Sequence, residues 1–139
     1  MSVFGISIKT TLYFLLIYAV CSIETAMAWQ LQDMSGTIHQ LSQYKGRWLI
    51  VNYWAPWCPP CLEEMPELVT FYDQTDRSKV MVLGVAVQYE TEKSVKDYTN
   101  DMLISYPIIL GEIQKKHIEK IEVLPTTYIY RPDGSLYKV

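Results

Sequence analysis

Cysteine and histidine are scarce in this chain of 139 residues, with three Cys and two His. So few cysteines exclude a small secreted scaffold meshed by several disulfides at wide spacing. A four-ligand structural zinc site lacks paired ligands, because His39 and His117 each stand alone and read as surface or turn histidines. Runs of basic residues are missing too. Lys and Arg are scattered and the net charge is −3, so nucleic acid is not an expected partner. Internal repeats and low-complexity tracts are also absent, which argues against solenoids and flexible arrays.

Half of the residues are hydrophobic, enough for one domain with one core, and the length is too short for two. A domain of this size buries roughly two-thirds of its unfolded surface and needs no metal to fold. Residues 1–28 read as an export signal rather than as part of that fold. Lys9 precedes fourteen uncharged residues, 10–23, rich in Leu, Ile, Tyr and Phe. This run is short of the ~20 apolar residues of a membrane-spanning helix, and Ala26-Met27-Ala28 supplies the small-x-small pattern of a cleavage site before Trp29. An uncleaved anchor through residues 10–23 is the alternative. Tyr18 and Val20 do not fit a lipid-attachment motif at Cys21. Cleavage would remove Cys21 and leave Cys58 and Cys61 in a domain of residues 29–139, periplasmic or otherwise extracytoplasmic. One C-x-x-C closes a very small loop and adds little stability through chain entropy, so its purpose is chemical.

The remaining pattern predicts an α/β domain with a mixed sheet. Residues 31–34 and 37–41 flank Ser35-Gly36 as a hairpin. Residues 48–54 form an apolar, β-rich run suited to a buried central strand, and 80–87 a second one. Helices are expected over 59–75, 92–102 and 112–120, with a short extended piece at 106–110. Residues 126–130 and 135–139 read as strands joined by the turn Arg131-Pro132-Asp133-Gly134.

Cys58 thus falls where a buried strand hands over to a helix. Unpaired N–H groups and the helix dipole favour an anion there, which lowers a thiol's pKa and makes the reactive thiolate. Cys61, at i+3, lies on the same face and within reach of a disulfide. Pro59 and Pro60 occupy the first turn, where a missing N–H costs little. Copper binding by these two thiols with a histidine is an open alternative.

Trp54-Ala55-Pro56-Trp57-Cys58-Pro59-Pro60-Cys61 closely resembles the thioredoxin-superfamily active site. The stretch from Leu31 to Pro66, with Tyr44-Lys45-Gly46, Val51-Asn52-Tyr53-Trp54 and Glu63-Glu64-Met65-Pro66, resembles the TlpA/ResA/DsbE branch. Leu124-Pro125-Thr126-Thr127 and Arg131-Pro132-Asp133-Gly134 are similar to the family's cis-proline strand and hairpin. The resemblance implies a thioredoxin fold, its mixed central sheet flanked by helices, and an exported thiol–disulfide oxidoreductase. Several members of that branch serve cytochrome c maturation. The implied partners are protein disulfides and a membrane thiol donor, with no cofactor beyond the Cys58–Cys61 disulfide itself. It further implies Cys58 as the attacking thiol and Cys61 as the resolving thiol. Trp57, Pro59, Leu124 and Pro125 would form the substrate-binding surface, with Pro125 in cis. Asn52 stands where ordinary thioredoxins carry a buried Asp. Glu64 matches the branch's acidic residue and is expected to take the proton from Cys61; its alternative is a solvated helix carboxylate. The family usually continues beyond the closing hairpin into a final helix. This chain stops at Val139, so the expectation is a fold without that helix, and a binding module without turnover stays an alternative.

Overall fold

The computed structural model describes residues 30–111 and 121–139. The expected signal or anchor, the expected helix over 112–120 and His117 lie outside them. In chain order the described elements are β1 (Gln30–Gln32), β2 (Ile38–Gln40), a 3-10 turn (Leu41–Tyr44), β3 (Trp48–Trp54) and helix α1 (Pro59–Gln74). Strand β4 (Val80–Ala86), helix α2 (Glu92–Asp101), β5 (Ile108–Leu110), β6 (Thr126–Tyr130) and β7 (Leu136–Lys138) follow.

Five strands form one sheet in the order β5-β4-β3-β6-β7. β3 runs parallel to β4, and β4 to β5, while β6 pairs antiparallel with β3 and with β7. The sheet is mixed, as expected. Its two central strands are buried almost end to end, because parallel strands covered on both faces need apolar residues at consecutive positions. Trp54, Leu49, Val51, Leu83 and Val85 are at most 1% exposed and make the heart of the core. β7 is the open edge, with Leu136 and Tyr137 exposed. Arg131 N–H donates to Ser135 O (2.8 Å) and Gly134, at φ +87°, turns the chain between β6 and β7.

Helix α1 starts at two prolines, where the missing N–H groups have no partner to lose, and continues across Pro66 to Gln74. Thr91 caps α2 by accepting from the Ser94 N–H at 3.1 Å, and Val95 and Thr99 are its buried residues. Among the described residues no helix is long and apolar enough to cross a membrane.

His39 departs from its expected place at the surface. Strands β1 and β2 pair Leu31 with His39, and both face inward. One His39 ring nitrogen, Nδ1, shares a hydrogen bond with the Tyr44 hydroxyl, and the other, Nε2, meets Asp33 Oδ2 at 2.8 Å. Asp33 Oδ1 accepts from Ser35 N–H (2.8 Å), Ser35 Oγ (2.6 Å) and Thr37 N–H (2.9 Å). Met34 N–H reaches Ile108 O at 2.8 Å and fastens this hairpin to β5. A turn rich in short polar side chains thus converts a lone histidine into a buried, fully engaged one. Burial pushes the Tyr44 phenol up to about 12, against the pull of the Arg47 guanidinium over its ring.

Burial also pushes the Asp33 carboxyl up, but the hydrogen bonds from Ser35, His39 and Thr37 outweigh it and leave the group below its ordinary 3.8. With the folded-state pKa depressed, this stabilisation is complete above about pH 4 and is lost as pH falls through the folded value. Asp33→Asn should therefore be less stable than the parent by about 1 kcal/mol at neutral pH, the gap closing in acid. Urea titrations across pH check both parts. Packing gives a second expectation. A Cβ on Gly84 would stand 2.6 Å from Ile108 Cδ1 and 2.9 Å from Tyr106 Cε2. Gly84→Ala should cost about 1–3 kcal/mol, read as a lower urea midpoint at unchanged slope.

Candidate redox site

Strand β3 delivers the chain to the site. After Trp54, the Cys58 N–H donates to Ala55 O (3.1 Å), a tight turn that sets Cys58 as the N-cap of α1. Its backbone is extended there, at φ −94° and ψ 103°, while its carbonyl already accepts from Cys61 N–H and Leu62 N–H at 3.1 and 3.2 Å. The same Cys61 N–H approaches Cys58 Sγ at 3.3 Å. A donor from the first helical turn is thus aimed at the sulfur, where negative charge is favoured. Cys58 and Cys61 are joined as a disulfide, with Cα atoms 5.3 Å apart. Cys58 is 2% exposed and Cys61 0%, so Cys58 is the member nearer solvent.

Around this pair the surface is apolar. Trp57 is 58% exposed and Pro59 is exposed beside it. Trp57 is nevertheless fixed, since its Nε1 donates to Gln88 O at 2.7 Å in the loop after β4. Trp54 is wholly buried and packs on Tyr98 of α2, which makes it a core residue. The Leu124–Pro125 bond is cis, and both residues are half-buried. Register brings them to the site: Thr126 pairs with Tyr53, so Pro125 sits level with the end of β3 that leads into Cys58.

Glu64 is half-buried and Glu63 is exposed, as their positions on the helix imply. Glu64 Oε1 accepts from Asn52 Nδ2 at 2.6 Å, and Asn52, completely buried, also donates to Thr127 Oγ1 at 3.1 Å. Glu64 is therefore tied to the sheet, not free in solvent. The sequence shows Thr127 only as part of the Pro125 motif; its contact with Asn52, 75 residues away, arises only through strand register. Among the described residues no group of three or more His, Cys, Asp or Glu is placed to hold a metal ion.

The AhpC/TSA family model matches residues 23–139. The chain is 30% identical over 122 residues to the thiol-disulfide oxidoreductase ResA of Geobacillus kaustophilus, covering 87% of this chain and 70% of that protein. Against ResA of Bacillus subtilis the identity is 29% over 111 residues, covering 78% and 61%. Among solved structures, StoA from Bacillus subtilis superimposes with a TM-score of 0.64 at 27% identity, covering 81% of this chain and 87% of that one. A thioredoxin-family thiol:disulfide interchange protein from Chlorobium tepidum gives a TM-score of 0.67 at 27% identity, covering 79% of each chain. With a C-x-x-C disulfide at the strand-to-helix junction and a cis-proline strand beside it, the chain belongs to the AhpC/TSA family of the thioredoxin superfamily and is a ResA-like thiol–disulfide oxidoreductase.

Proposed function

We propose that this oxidoreductase works outside the cytoplasm, reducing or exchanging disulfides on exported proteins through Cys58-Pro59-Pro60-Cys61, with cytochrome c maturation as the process it serves. The observation that carries the reading is the Cys61 N–H aimed at Cys58 Sγ from the first turn of α1. Residues 1–28 act as its export signal, or residues 10–23 as its anchor. A membrane thiol donor returns the pair to the dithiol, and no other cofactor takes part.

Cys58, as thiolate, attacks one sulfur of a substrate disulfide. The Cys58–substrate bond forms, the substrate S–S bond breaks, and the first substrate sulfur leaves and takes up a proton. Cys61 then gives its proton to Glu64 while its sulfur attacks Cys58 Sγ. The Cys58–Cys61 disulfide forms and the second substrate sulfur departs with the electron pair, collecting the proton. The substrate gains two electrons and two protons, and the enzyme is left oxidised. Trp57 and Pro59 present an apolar docking surface, and the backbone at Leu124 and Pro125 receives an extended segment of the partner.

Reduction of insulin with a thiol donor tests the activity, and Cys58→Ser should abolish it. Cys61→Ser, expressed in the native host, should accumulate a mixed disulfide through Cys58, with an exported c-type cytochrome precursor among the partners found by mass spectrometry. A Cys58 thiol no more acidic than a free one, with no exchange and no trapped partner, overturns the reading. Glu64→Gln should slow release of the second substrate sulfur by about 100-fold while sparing the first attack. Rapid-quench kinetics separate the two steps. Mass spectrometry of the protein from its host should find a chain beginning at Trp29, or the intact chain in the membrane fraction. An intact chain in the cytosol excludes export.

A further inference from the structure

We infer that Asn52 and Thr127 are positioning residues for the resolving step, forming a hydrogen-bonded chain that holds the Glu64 carboxylate one helical turn from Cys61, an inference that rests on the exchange chemistry proposed above. Three elements meet in this chain. Asn52 lies on β3, Thr127 opposite it on β6, and Glu64 on α1. Asn52 is 0% exposed and spends both N–H groups of Nδ2, one on Glu64 Oε1 at 2.6 Å and one on Thr127 Oγ1 at 3.1 Å. Its Oδ1 accepts no hydrogen bond among the described residues. The amide is therefore held in its orientation from the nitrogen side alone.

That asymmetry gives Thr127 its role. An amide reversed about its terminal bond would set Oδ1 against the Glu64 carboxylate, acceptor to acceptor. The carboxylate selects the orientation, and Thr127 Oγ1, accepting the second N–H at 3.1 Å, gives the nitrogen a second anchor that fixes where it stands. The Asn52 N–H, 2.6 Å from Oε1, fixes where the carboxylate that would receive the Cys61 proton stands. Asn52 does this without competing, because an amide has no proton to exchange in this pH range. The neighbouring titratable groups are few. Cys61 lies one turn back on α1 and Glu67, exposed, one turn on. From the segment before β5 comes Tyr106, whose phenol is pushed up by burial and then by the Glu64 charge. Asn52 and Thr127, from the sheet, are neutral.

The test follows release of the second thiol when the reduced full-length protein reacts with oxidised glutathione, from pH 6 to pH 10. Thr127→Val keeps the shape of the side chain and removes the acceptor. It should slow release roughly tenfold at pH 7, a deficit that shrinks toward pH 10 as solvent base takes the Cys61 proton unaided. Thr127→Ser should restore the parent profile, and Thr127→Val should add nothing in a Glu64→Gln background. Should Thr127→Val lower the urea midpoint, Thr127→Ala breaks the same bond and is read in the same way. A deficit equal at every pH, one that Ser does not rescue, or one that persists without Glu64 assigns Thr127 a merely structural part and overturns the inference. A parent protein that releases no glutathione at any pH overturns the exchange reading along with it. An active parent with an unaltered Thr127→Val profile overturns this inference alone.

Discussion

The contact between the Cys61 N–H and Cys58 Sγ, at 3.3 Å, is the point on which the molecule turns. It exists because strand β3 ends in a tight turn at Ala55 and the chain re-enters as a helix with Cys58 as its cap. In most helices an oxygen from Ser, Thr, Asp or Asn fills that place. Here a sulfur does, and the helix donates to an atom that is also half of the Cys58–Cys61 disulfide. The buried strands β3 and β4 give the turn its rigid footing, so the sulfur is presented by the core of the domain rather than by a mobile loop.

Two further arrangements depend on that junction. On the outer side, Trp57 is pinned to Gln88 O while staying exposed, which gives the site a fixed apolar shoulder beside the half-buried cis-proline. On the inner side, Glu64, Asn52 and Thr127 carry polar chemistry into an otherwise apolar core. A buried amide without satisfied donors costs about 1–3 kcal/mol, so the pairing of both N–H groups is a condition for keeping Asn52 there at all. The molecule therefore has an exposed Trp57 and Pro59 on one side of the disulfide and a polar cluster beginning one helical turn beyond Cys61 on the other. Toward the β5 edge of the sheet, the Asp33–His39–Tyr44 cluster ties the β1–β2 hairpin together.

Residue order carried much of this plainly. The unbroken apolar runs marked β3 and β4, and two prolines directly after Cys58 marked the start of α1. The turn residues at 131–134 marked the β6–β7 hairpin, and the motif around Pro125 implied the cis bond that the structure contains. These readings succeed because each rests on neighbours in sequence: a cap, a period of burial, a turn. The histidine reading failed for the converse reason. His39 looks isolated along the chain, yet strand pairing turns it inward and the Ser35–Thr37 turn brings Asp33 back against it.

By itself, then, the amino-acid sequence determined which two sulfurs pair and that a helix begins between them, since capping, proline placement and i+3 spacing are local properties of the backbone. Tertiary structure decided what surrounds them: that Glu64 is held by a buried amide, that Thr127 holds the amide in turn, and that Trp57 is anchored across 31 residues to Gln88. Those contacts depend on the register of β3 against β6 and on the loop after β4. Register is settled only when whole strands bury their faces together, and no short stretch of chain contains that information.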